Sequence, residues 1–417
     1  MQTTIFSAPS CSDYDPNAMP VDAARAFIKN YLTPVNTTEV LGIRASLGRV
    51  LAADIISPFN VPAFDNSAMD GYAFNAAQYS GGALTIVGTA FAGKPYVGVV
   101  NAHECVRIMT GAVLPSGCDA VIVQERVTIL NDAITFTDAP KTGANIRYAG
   151  DDLMASKVVF AAGHLVKPAD LGLMASLGFA EVSVYRKLKV AFFSTGDELV
   201  SVGKPLEIGQ IYDSNRYTLY GMLARLNVEI IDMGVVSDDP IALENALLNA
   251  SKHADVILTS GGVSVGEADY MKMLLEKLGE VLFWKISMKP GRPLAFGKIG
   301  NAHYFGLPGN PVAVMVTFYQ FVREAMLMLM GQPEPESLPL LKANCTTMIK
   351  KMPGRTEFQR GILYPENGDW VVRPIGNQSS GVLSSMSEAN CFIVLPTDVG
   401  NIEAGASVQV QLFHGVI

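Results

Sequence analysis

From Leu188 onward the sequence alternates between short apolar runs and helical patterns, and this alternation constrains the fold more than any other feature. The apolar runs predict strands at Leu188–Phe193, Val228–Val236, Asp255–Leu258, Val281–Ile286 and His303–Phe305. The segments between the first four predict helices at Arg216–Leu226, Ala242–Ser251 and Tyr270–Leu278. Alternating strands and helices of these lengths are typical of a doubly wound parallel sheet. Because such sheets bind ligands at the carboxyl ends of their strands, the loops after these strands are the candidate site.

The loop after the third predicted strand combines glycines with hydroxyl and acidic side chains. It reads Thr-Ser-Gly-Gly-Val-Ser-Val-Gly-Glu-Ala-Asp from Thr259 to Asp269. Glycines let a ligand approach the backbone, successive N–H groups can hold an anion, and a nearby acid suits a divalent cation. The alternative is an ordinary strand-to-helix turn in which Asp269 caps the next helix. On the first interpretation this loop binds phosphate through Ser260, Gly261, Gly262, Ser264 and Gly266, and the loop after the first strand adds Thr195 and Gly196 as candidate phosphate-binding residues.

Acidic residues recur in the loops that a parallel sheet brings to this edge. Glu198 follows the first strand, and Asp238 and Asp239 follow the second. Carboxylate oxygens suit Mg²⁺, which often shares its ligands with substrate phosphates. Asp239 stands before a proline and fits a helix N-cap better than a ligand, and Asp213 has the same alternative. The acids left at this edge as possible metal ligands are Asp197, Glu198, Asp238 and Asp269.

Basic residues and a proline-rich elbow follow at the last two predicted strands. Lys285, Lys289 and Arg292 stand at a strand end beside a Pro-Gly turn, and if the chain is extended the even spacing of the two lysines puts both on one face. Converging ammonium groups suit an oxyanion, whereas the alternative is a solvated cationic edge. Pro308 and Pro311 belong to a Gly/Pro elbow before a helix, which either meets an anion with its N–H groups or is simply a stiff turn.

The remaining regions predict further domains around this sheet. Short β-rich runs with Gly and Pro turns fill the segment before residue 148 and return after a proline-rich linker near residue 331. The expected fold is a multi-domain α/β protein with four parts: a discontinuous α/β N-terminal domain at 16–57 plus 148–186, an inserted β-rich domain at 58–147, the sheet domain at 187–330 and a C-terminal small β barrel-like domain at 331–417.

Composition and charge argue against several classes of protein. The chain has 417 residues with 39 acidic against 31 basic side chains, and its net charge of −8 argues against a nucleic-acid partner. The N-terminus lacks the basic and hydrophobic regions of a signal peptide. The apolar stretch Val312–Met330 is interrupted by Gln320, Arg323 and Glu324, which favours a buried helix over a membrane span. We therefore expect a cytoplasmic protein with no membrane partner.

Long motifs spread over four regions resemble the MoeA family, the molybdopterin molybdenumtransferases, to which the gephyrin E domain is related. The motifs that carry the resemblance are Phe64–Ala73, Arg107–Ala112, Asn145–Arg147, Gly150–Asp152, Ser194–Glu198, Ser260–Asp269, Lys289–Gly291, Gly306–Pro311 and Phe358–Gly361. The similarity runs from about Pro20 to the C-terminal end. Because the motifs occur in order and in every region, a chance match is a poor explanation.

The resemblance implies an elongated homodimer of four-domain subunits, with the discontinuous N-terminal domain forming the dimer. It also implies a transferase that splits adenylylated molybdopterin with Mg²⁺, inserts molybdenum from molybdate and releases AMP. Its product is the molybdenum cofactor. The expected protein partners are the molybdopterin adenylyltransferase and the molybdoenzymes that accept the cofactor.

Carried over motif by motif, the resemblance also implies roles for individual residues. The catalytic group is Asp70, Asp152, Glu198, Asp238 and Asp269, of which the last three hold the metal. The group that binds molybdate and the pterin is Lys285, Lys289, Arg360, Ser380, Pro308 and Pro311. Asp70 and Asp152 are expected to reach the cleft from the partner subunit. Cationic groups offset the repulsion between the dianion molybdate and an anionic pterin.

The sequence departs from the common family pattern at two positions. Many members have a serine after Gly-Asn-Pro-Val, where this chain has Ala313, so one oxyanion donor is missing. Asp151 replaces the commoner glutamate and leaves Asp152 in place.

Two other functions compete with the insertase. A molybdopterin adenylyltransferase shares the sheet domain but not the flanking regions, and a non-catalytic carrier or scaffold binds the pterin without turnover.

Overall fold

The computed structural model describes residues 18–262, 268–335 and 338–413. The chain forms two compact units. The larger unit takes in the chain up to Ala52, Leu165–Lys167 and everything from Val182 onward, and the smaller unit takes in Ala53–His164 and Pro168–Glu181. The four-part division expected from the sequence is finer than this and stays a prediction.

A six-stranded sheet forms the centre of the larger unit. Its strands lie in the spatial order Glu229–Val236, Lys189–Thr195, Val256–Ser260, Ala302–Leu307, Pro293–Ile299 and Gly279–Lys285. The first four strands run parallel, in agreement with the alternating sequence pattern. Their carboxyl ends therefore lie at one edge of the sheet, and the loops that leave them meet there.

The other two strands make the sheet mixed rather than wholly parallel. Gly279–Lys285 pairs antiparallel with Pro293–Ile299, which in turn pairs antiparallel with Ala302–Leu307. The sequence prediction of a parallel strand at Val281–Ile286 is therefore wrong in direction, and Pro293–Ile299 was missed. Both connections are too short for the crossover that a parallel pair needs, so the chain can only fold back on itself.

Helices cover both faces of the sheet because successive strand residues point to opposite sides. The helices of the larger unit are Val21–Tyr31, Ser214–Arg225, Pro240–His253, Ala268–Leu278, Pro311–Thr317, Arg323–Leu329 and Ser384–Glu388, with a π-helical segment at Phe318–Val322 and a 3-10 turn at Ile43–Ser46. Val190 and Phe192 join a core with Leu219 and the chain around Val312. Ala191, one position along the strand, packs in a separate core on the other face.

The helical run Pro311–Leu329 is long and apolar enough to span a membrane, but it lies inside the larger unit. Its most apolar window is 78% buried, and Gln320 is buried with its amide donating to Gln411 Oε1 at 2.8 Å. The run packs into the same core as the sheet. This agrees with the buried helix that the sequence predicts.

The C-terminal part closes into a small β barrel, as the sequence predicts. Its strands are Leu340–Cys345, Thr356–Glu366, Asp369–Pro374, Cys391–Leu395 and Ser407–Leu412. Each pairs with two neighbours, and the pairing of Thr356–Glu366 with Cys391–Leu395 closes the ring. The short strand Met288–Lys289 adds to the outside of Thr356–Glu366, so the barrel is joined to the sheet domain by main-chain hydrogen bonds.

The smaller unit is β-rich, as the sequence predicts for this region. Its six-stranded sheet has the order Ala120–Val123, Gly71–Phe74, Glu104–Ile108, Leu84–Ala90, Ala133–Thr135 and Thr128–Leu130. Two short ladders pair Ile55–Ile56 with Val158–Phe160 and Asn66–Ser67 with Ile146–Arg147. One helix, Pro168–Ser176, and a 3-10 turn at Gln124–Arg126 complete its regular elements among the described residues.

Asp255 ties together the amino ends of three strands of the central sheet. Its carboxylate accepts two hydrogen bonds from the Arg186 guanidinium, both at 2.7 Å, and one from Lys189 N at 2.8 Å. Its carbonyl accepts from His303 N at 2.8 Å. Burial raises the pKa of Asp255, but the hydrogen bonds from Arg186 and Lys189 outweigh it and leave the pKa below the ordinary value. The ionised carboxylate therefore stabilises the fold.

We expect Asp255→Asn to lower the free energy of unfolding by about 2 kcal/mol at pH 7, because it removes a charged acceptor of three hydrogen bonds. A carboxylate with a lowered pKa stabilises above the pKa of the unfolded chain, about 3.9, and less as the pH falls through its folded value. The difference between variant and wild type should therefore shrink below about pH 4. Urea unfolding between pH 3 and pH 7 measures this. The control Asp22→Asn removes an exposed pair with Arg25 and should cost less than about 1 kcal/mol. An equal loss for Asp255→Asn at pH 3 and pH 7 would contradict the assignment.

Candidate active site

A cavity of about 1140 Å³ opens at the carboxyl edge of the central sheet, and every residue that lines it belongs to the larger unit. Three parallel strands end at it: Thr195 and Ser260 are the last residues of two strands, and Pro308 follows the last residue of the third. The rule for parallel sheets thus predicted the location of the cavity correctly. Of the predicted site residues, it is lined by Thr195, Glu198, Ser260, Gly261, Gly262, Lys289, Pro308, Pro311 and Ser380.

The glycine turn forms part of the cavity wall. Gly261 has φ +95°, and a Cβ placed there would lie 2.4 Å from the Thr195 carbonyl oxygen. Gly262 follows with φ +68°. No other residue type allows this close approach of two backbones, so the turn exposes main chain rather than side chains to the cavity. Ser264 and Gly266, predicted as part of the same loop, lie outside the described residues.

Two of the predicted metal ligands, Glu198 and Asp238, lie near the end of the strand Lys189–Thr195. Glu198 lines the cavity, and its carboxylate lies over Gly196, where a Cβ would be 2.6 Å from Glu198 Oε2. Gly196 and Asp238 are not among the lining residues, but the Thr195 hydroxyl donates a short hydrogen bond to Asp238 Oδ1. Asp269 lies in the first turn of the helix Ala268–Leu278, and its side chain lies outside the described part of the chain.

Asp239 serves as a helix cap, as the capping alternative predicted. It precedes Pro240 at the start of the helix Pro240–His253, and its carboxylate accepts from Ala242 N at 2.8 Å. Its side chain does not line the cavity. This leaves Asp238 as the acid of the pair that is connected to the site.

Three cationic residues line the cavity: Lys289, Arg292 and Arg355. Lys285 does not line it. The strand Gly279–Lys285 belongs to the central sheet, whereas Met288–Lys289 pairs with the barrel strand Thr356–Glu366, and between them the N–H of Met288 donates to the Ile286 carbonyl at 2.8 Å. Lys285 and Lys289 therefore do not share one extended strand, and the condition under which both would lie on one face is not met. The Pro-Gly turn instead brings Arg292 to the cavity, a residue of the same basic segment.

Arg360 is buried behind the cavity wall rather than lining it. It is 1% exposed, and its guanidinium donates to Ser385 Oγ at 3.1 Å and to the carbonyls of Asn377 and Ser379 at 3.2 and 2.9 Å. Burial lowers the pKa of Arg360 to about 10. These bonds hold the loop that carries Ser380 into the cavity. A direct contact of Arg360 with substrate stays a prediction.

The proline elbow connects this loop to the start of the buried helical run. Val312 N donates to the Ser380 carbonyl at 3.1 Å, so the elbow and the Ser380 loop are tied by their backbones. Ala313 lines the cavity one residue further along and is 3% exposed. The position where many family members have serine is therefore part of the cavity wall, and in this chain it offers no hydroxyl.

The start of the helix Ser214–Arg225 is a part of the wall that the sequence did not predict as binding. Asp213 caps this helix and accepts from Arg216 N at 3.2 Å, as its capping alternative predicted. It also lines the cavity, together with Asn215. From sequence the only indication was an Asp-Ser-Asn motif before a helix, which is common at helix starts.

Asp70 and Asp152 belong to the smaller unit. Asp70 Oδ1 accepts from the Thr110 N–H and hydroxyl, both at 2.8 Å, and the N–H bond is the main cause that lowers the pKa of Asp70. Asp152 N donates to the Val61 carbonyl at 2.9 Å. Their contribution to a partner subunit's cavity stays a prediction.

Comparisons with known proteins cover nearly the whole chain. The model of the MoeA N-terminal region (domain I and II) matches residues 19–178, that of the probable molybdopterin binding domain matches 191–328, and that of the MoeA C-terminal region (domain IV) matches 342–413. The molybdopterin molybdenumtransferase of Haemophilus influenzae is 47% identical over 400 residues, which are 95% of this chain and 99% of that protein. The chain belongs to the molybdopterin molybdenumtransferase family.

More distant members of the family agree. The molybdopterin molybdenumtransferase of Bacillus subtilis is 33% identical over 388 residues, 90% of each chain. A crystal structure of the molybdopterin biosynthesis moeA protein from Pyrococcus horikoshii OT3 has a TM-score of 0.82 at 30% identity and covers 95% of this chain and 100% of that chain. These matches confirm the resemblance drawn from the motifs and make the chain a transferase of molybdenum cofactor biosynthesis.

We expect Gly261→Ala to destabilise the larger unit by about 2 to 4 kcal/mol, because it adds both a backbone clash and strain at positive φ. The matched control is Gly203→Ala, where φ is +87° but a Cβ meets nothing within 4 Å. This control should cost only the strain, about 1 kcal/mol. Urea unfolding followed by circular dichroism measures both variants. Equal losses would mean that the contact of Gly261 with Thr195 does not constrain the turn.

Proposed function

We propose that this chain inserts molybdenum from molybdate into adenylylated molybdopterin and releases AMP. The observation that carries the proposal is a single cavity whose wall contains both a backbone turn that fits a phosphate and the cations Lys289, Arg292 and Arg355. The substrate has a phosphoanhydride, and molybdate is a tetrahedral dianion. Family membership supports this pair of substrates over other anions.

The residues of the cavity fit the two anionic partners in different ways. The turn at Gly261 and Gly262 carries no side chain, so the phosphates can approach its main chain closely. Lys289 and the two arginines suit molybdate, because guanidinium and ammonium groups form charge-assisted hydrogen bonds with tetrahedral oxyanions. Preorganised cations reduce the repulsion between molybdate and the anionic pterin, so the dithiolene sulfurs and the molybdenum can meet.

Mg²⁺ fits the donor set at the end of the first parallel strand. The described residues contain no group of three or more His, Cys, Asp or Glu side chains that could hold a metal. Mg²⁺ does not need one, since it commonly takes one or two carboxylates and completes its shell with water and substrate phosphates. Glu198 and Asp238 would hold it, with Asp269 as the third predicted ligand. Bound there, the ion would polarise the phosphoanhydride.

Arg360 and Ser380, the other polar residues predicted to bind molybdate, have different roles. Ser380 lines the cavity and offers a hydroxyl and a backbone N–H to molybdate. Arg360 supports it through the carbonyls on the preceding residues, Asn377 and Ser379. Arg360 therefore acts on substrate at least through the position of this loop. Pro308 and Pro311 fix the elbow against which the loop is bonded.

We also propose that the enzyme is a cytoplasmic homodimer in which Asp70 and Asp152 of one subunit approach the cavity of the other. The adenylyltransferase that makes its substrate and the molybdoenzymes that accept its product are the proposed protein partners. The net charge of −8 supports small-molecule substrates rather than nucleic acid, and no membrane partner is proposed. The four-domain division with boundaries near residues 58, 148, 187 and 331 belongs to the same proposal.

The test is to mix purified protein with adenylylated molybdopterin and Mg²⁺ and to follow AMP release with and without micromolar molybdate. Molybdate-dependent release, with molybdenum bound to the pterin, is the expected result. Pyrophosphate release from ATP plus molybdopterin, without AMP release from the adenylylated substrate, would make the chain an adenylyltransferase. Tight binding of the adenylylated substrate with neither product would make it a carrier.

Among cavity variants, we expect Lys289→Gln to raise the KM for molybdate about tenfold and to leave the KM for the pterin substrate within about twofold, because it removes one cation from the oxyanion side. The control is Lys342→Gln on the strand Leu340–Cys345, an exposed lysine that does not line the cavity. Steady-state AMP release at varied molybdate measures both. An unchanged KM for molybdate in Lys289→Gln would exclude this lysine from the oxyanion site.

A further inference from the structure

Asp213 lines the cavity and has a buried carboxylate oxygen without a hydrogen-bond partner among the described residues. Its side chain is buried, with the residue 1% exposed, and the residue lines the cavity. Oδ1 accepts from Ser194 Oγ at 2.9 Å and from Arg216 N at 3.2 Å. Oδ2 is buried and accepts from no group among the described residues. Capping the helix uses only one of the two oxygens, so the cap does not explain the second.

Asn215 adds a second unpartnered acceptor two residues along. Its Nδ2 donates to Ser260 Oγ at 2.8 Å and to the Gly309 carbonyl at 2.7 Å. Because a carbonyl can only accept, the bond to Gly309 fixes which end of the amide is nitrogen. Oδ1 is then left buried and without a donor in the described part of the chain.

Two buried acceptors without donors cost stability unless a ligand satisfies them. Both belong to residues that line the same cavity, and both can only accept, so they fit a group that donates hydrogen bonds. A phosphate or molybdate oxygen would be repelled by the Asp213 carboxylate. The ligand group at this part of the wall is therefore a hydrogen-bond donor rather than an anion.

We infer that Asp213 and Asn215 bind an exocyclic amino group of the substrate. The inference rests on the proposed function, because adenylylated molybdopterin carries such an amine on its adenine and another on its pterin. The hydrogen bond from a neutral amine to a buried carboxylate is charge-assisted and therefore strong. The pair acts on binding and specificity, and the bonds of Asn215 to Ser260 and Gly309 hold it next to the glycine turn.

Two ligand pairs that differ at the amino group identify which ring is bound. AMP and IMP differ at the purine amine, which IMP replaces by an oxo group, and pterin and lumazine differ in the same way at the pterin amine. Isothermal titration of wild-type protein should show that the amine-bearing member of one pair binds about tenfold more tightly than its partner. Discrimination within the purine pair assigns the site to adenine, and within the pterin pair to the pterin.

Asp213→Asn tests the residue itself. Asparagine keeps the shape and the helix cap but replaces the free oxygen by an NH₂ group, which faces the ligand amine donor to donor. The variant should bind the amine-bearing ligand more weakly, so that the affinity ratio within the discriminated pair falls to less than about twofold. The matched control Asp239→Asn changes a capping aspartate that does not line the cavity and should keep the wild-type discrimination. If Asp213→Asn does not fold, Asp213→Ser keeps a cap oxygen without a second one.

The outcomes separate this inference from the proposed function. Wild-type protein that releases AMP in the presence of molybdate but discriminates in neither pair overturns the inference alone, as does full discrimination in Asp213→Asn. Loss of Mg²⁺-dependent AMP binding in Asp213→Asn, with no discrimination by wild type in either pair, also overturns it, by making Asp213 a metal ligand. Wild-type protein that binds none of the four ligands and releases no AMP overturns both.

Discussion

The pairing of three parallel strands in the middle of the central sheet is the constraint on which the cavity depends. Val256–Ser260 pairs with Lys189–Thr195 on one side and with Ala302–Leu307 on the other, residue for residue, so the three strands end at the same level. Asp255 holds their amino ends in register through Lys189 and His303. The loops at the carboxyl ends are thereby brought together, and at Gly261 the backbone passes too close to the Thr195 carbonyl to leave room for a side chain.

The barrel completes a cavity that the sheet alone leaves open. Met288–Lys289 pairs with the barrel strand Thr356–Glu366, which places Lys289 and Arg355 on the same wall. The barrel also buries Arg360, and the cost of desolvating its guanidinium is offset by hydrogen bonds to the loop that carries Ser380. A cation placed behind the wall rather than on it gives the loop one conformation, and an oxyanion site needs its donors in fixed positions.

Sequence reasoning predicted the parts of this structure that depend on local pattern. Apolar runs and their spacing gave the parallel strands, the glycine turn and the barrel, because period and turn residues determine them. It missed the strand Pro293–Ile299, whose polar and glycine interruptions hide its pairing. The sequence prediction placed Lys285 and Arg360 in the molybdate-binding group together with Lys289. Only Lys289 of the three lines the cavity, and only the three-dimensional path of the chain distinguishes such a cation from the others.

Helix capping shows most clearly why some site residues cannot be read from sequence. Asp213 and Asp239 both precede helices and both cap them, so their sequence contexts are equivalent. They differ in what surrounds the second carboxylate oxygen: Asp239 is exposed, whereas the oxygen of Asp213 is buried at the cavity. A buried acceptor without a donor is costly, and beside a substrate cavity a ligand that donates to it would remove that cost. An adenylylated pterin carries both anionic groups and amines. In one cavity, cationic residues then bind the anions and the unpartnered acceptors bind an amine.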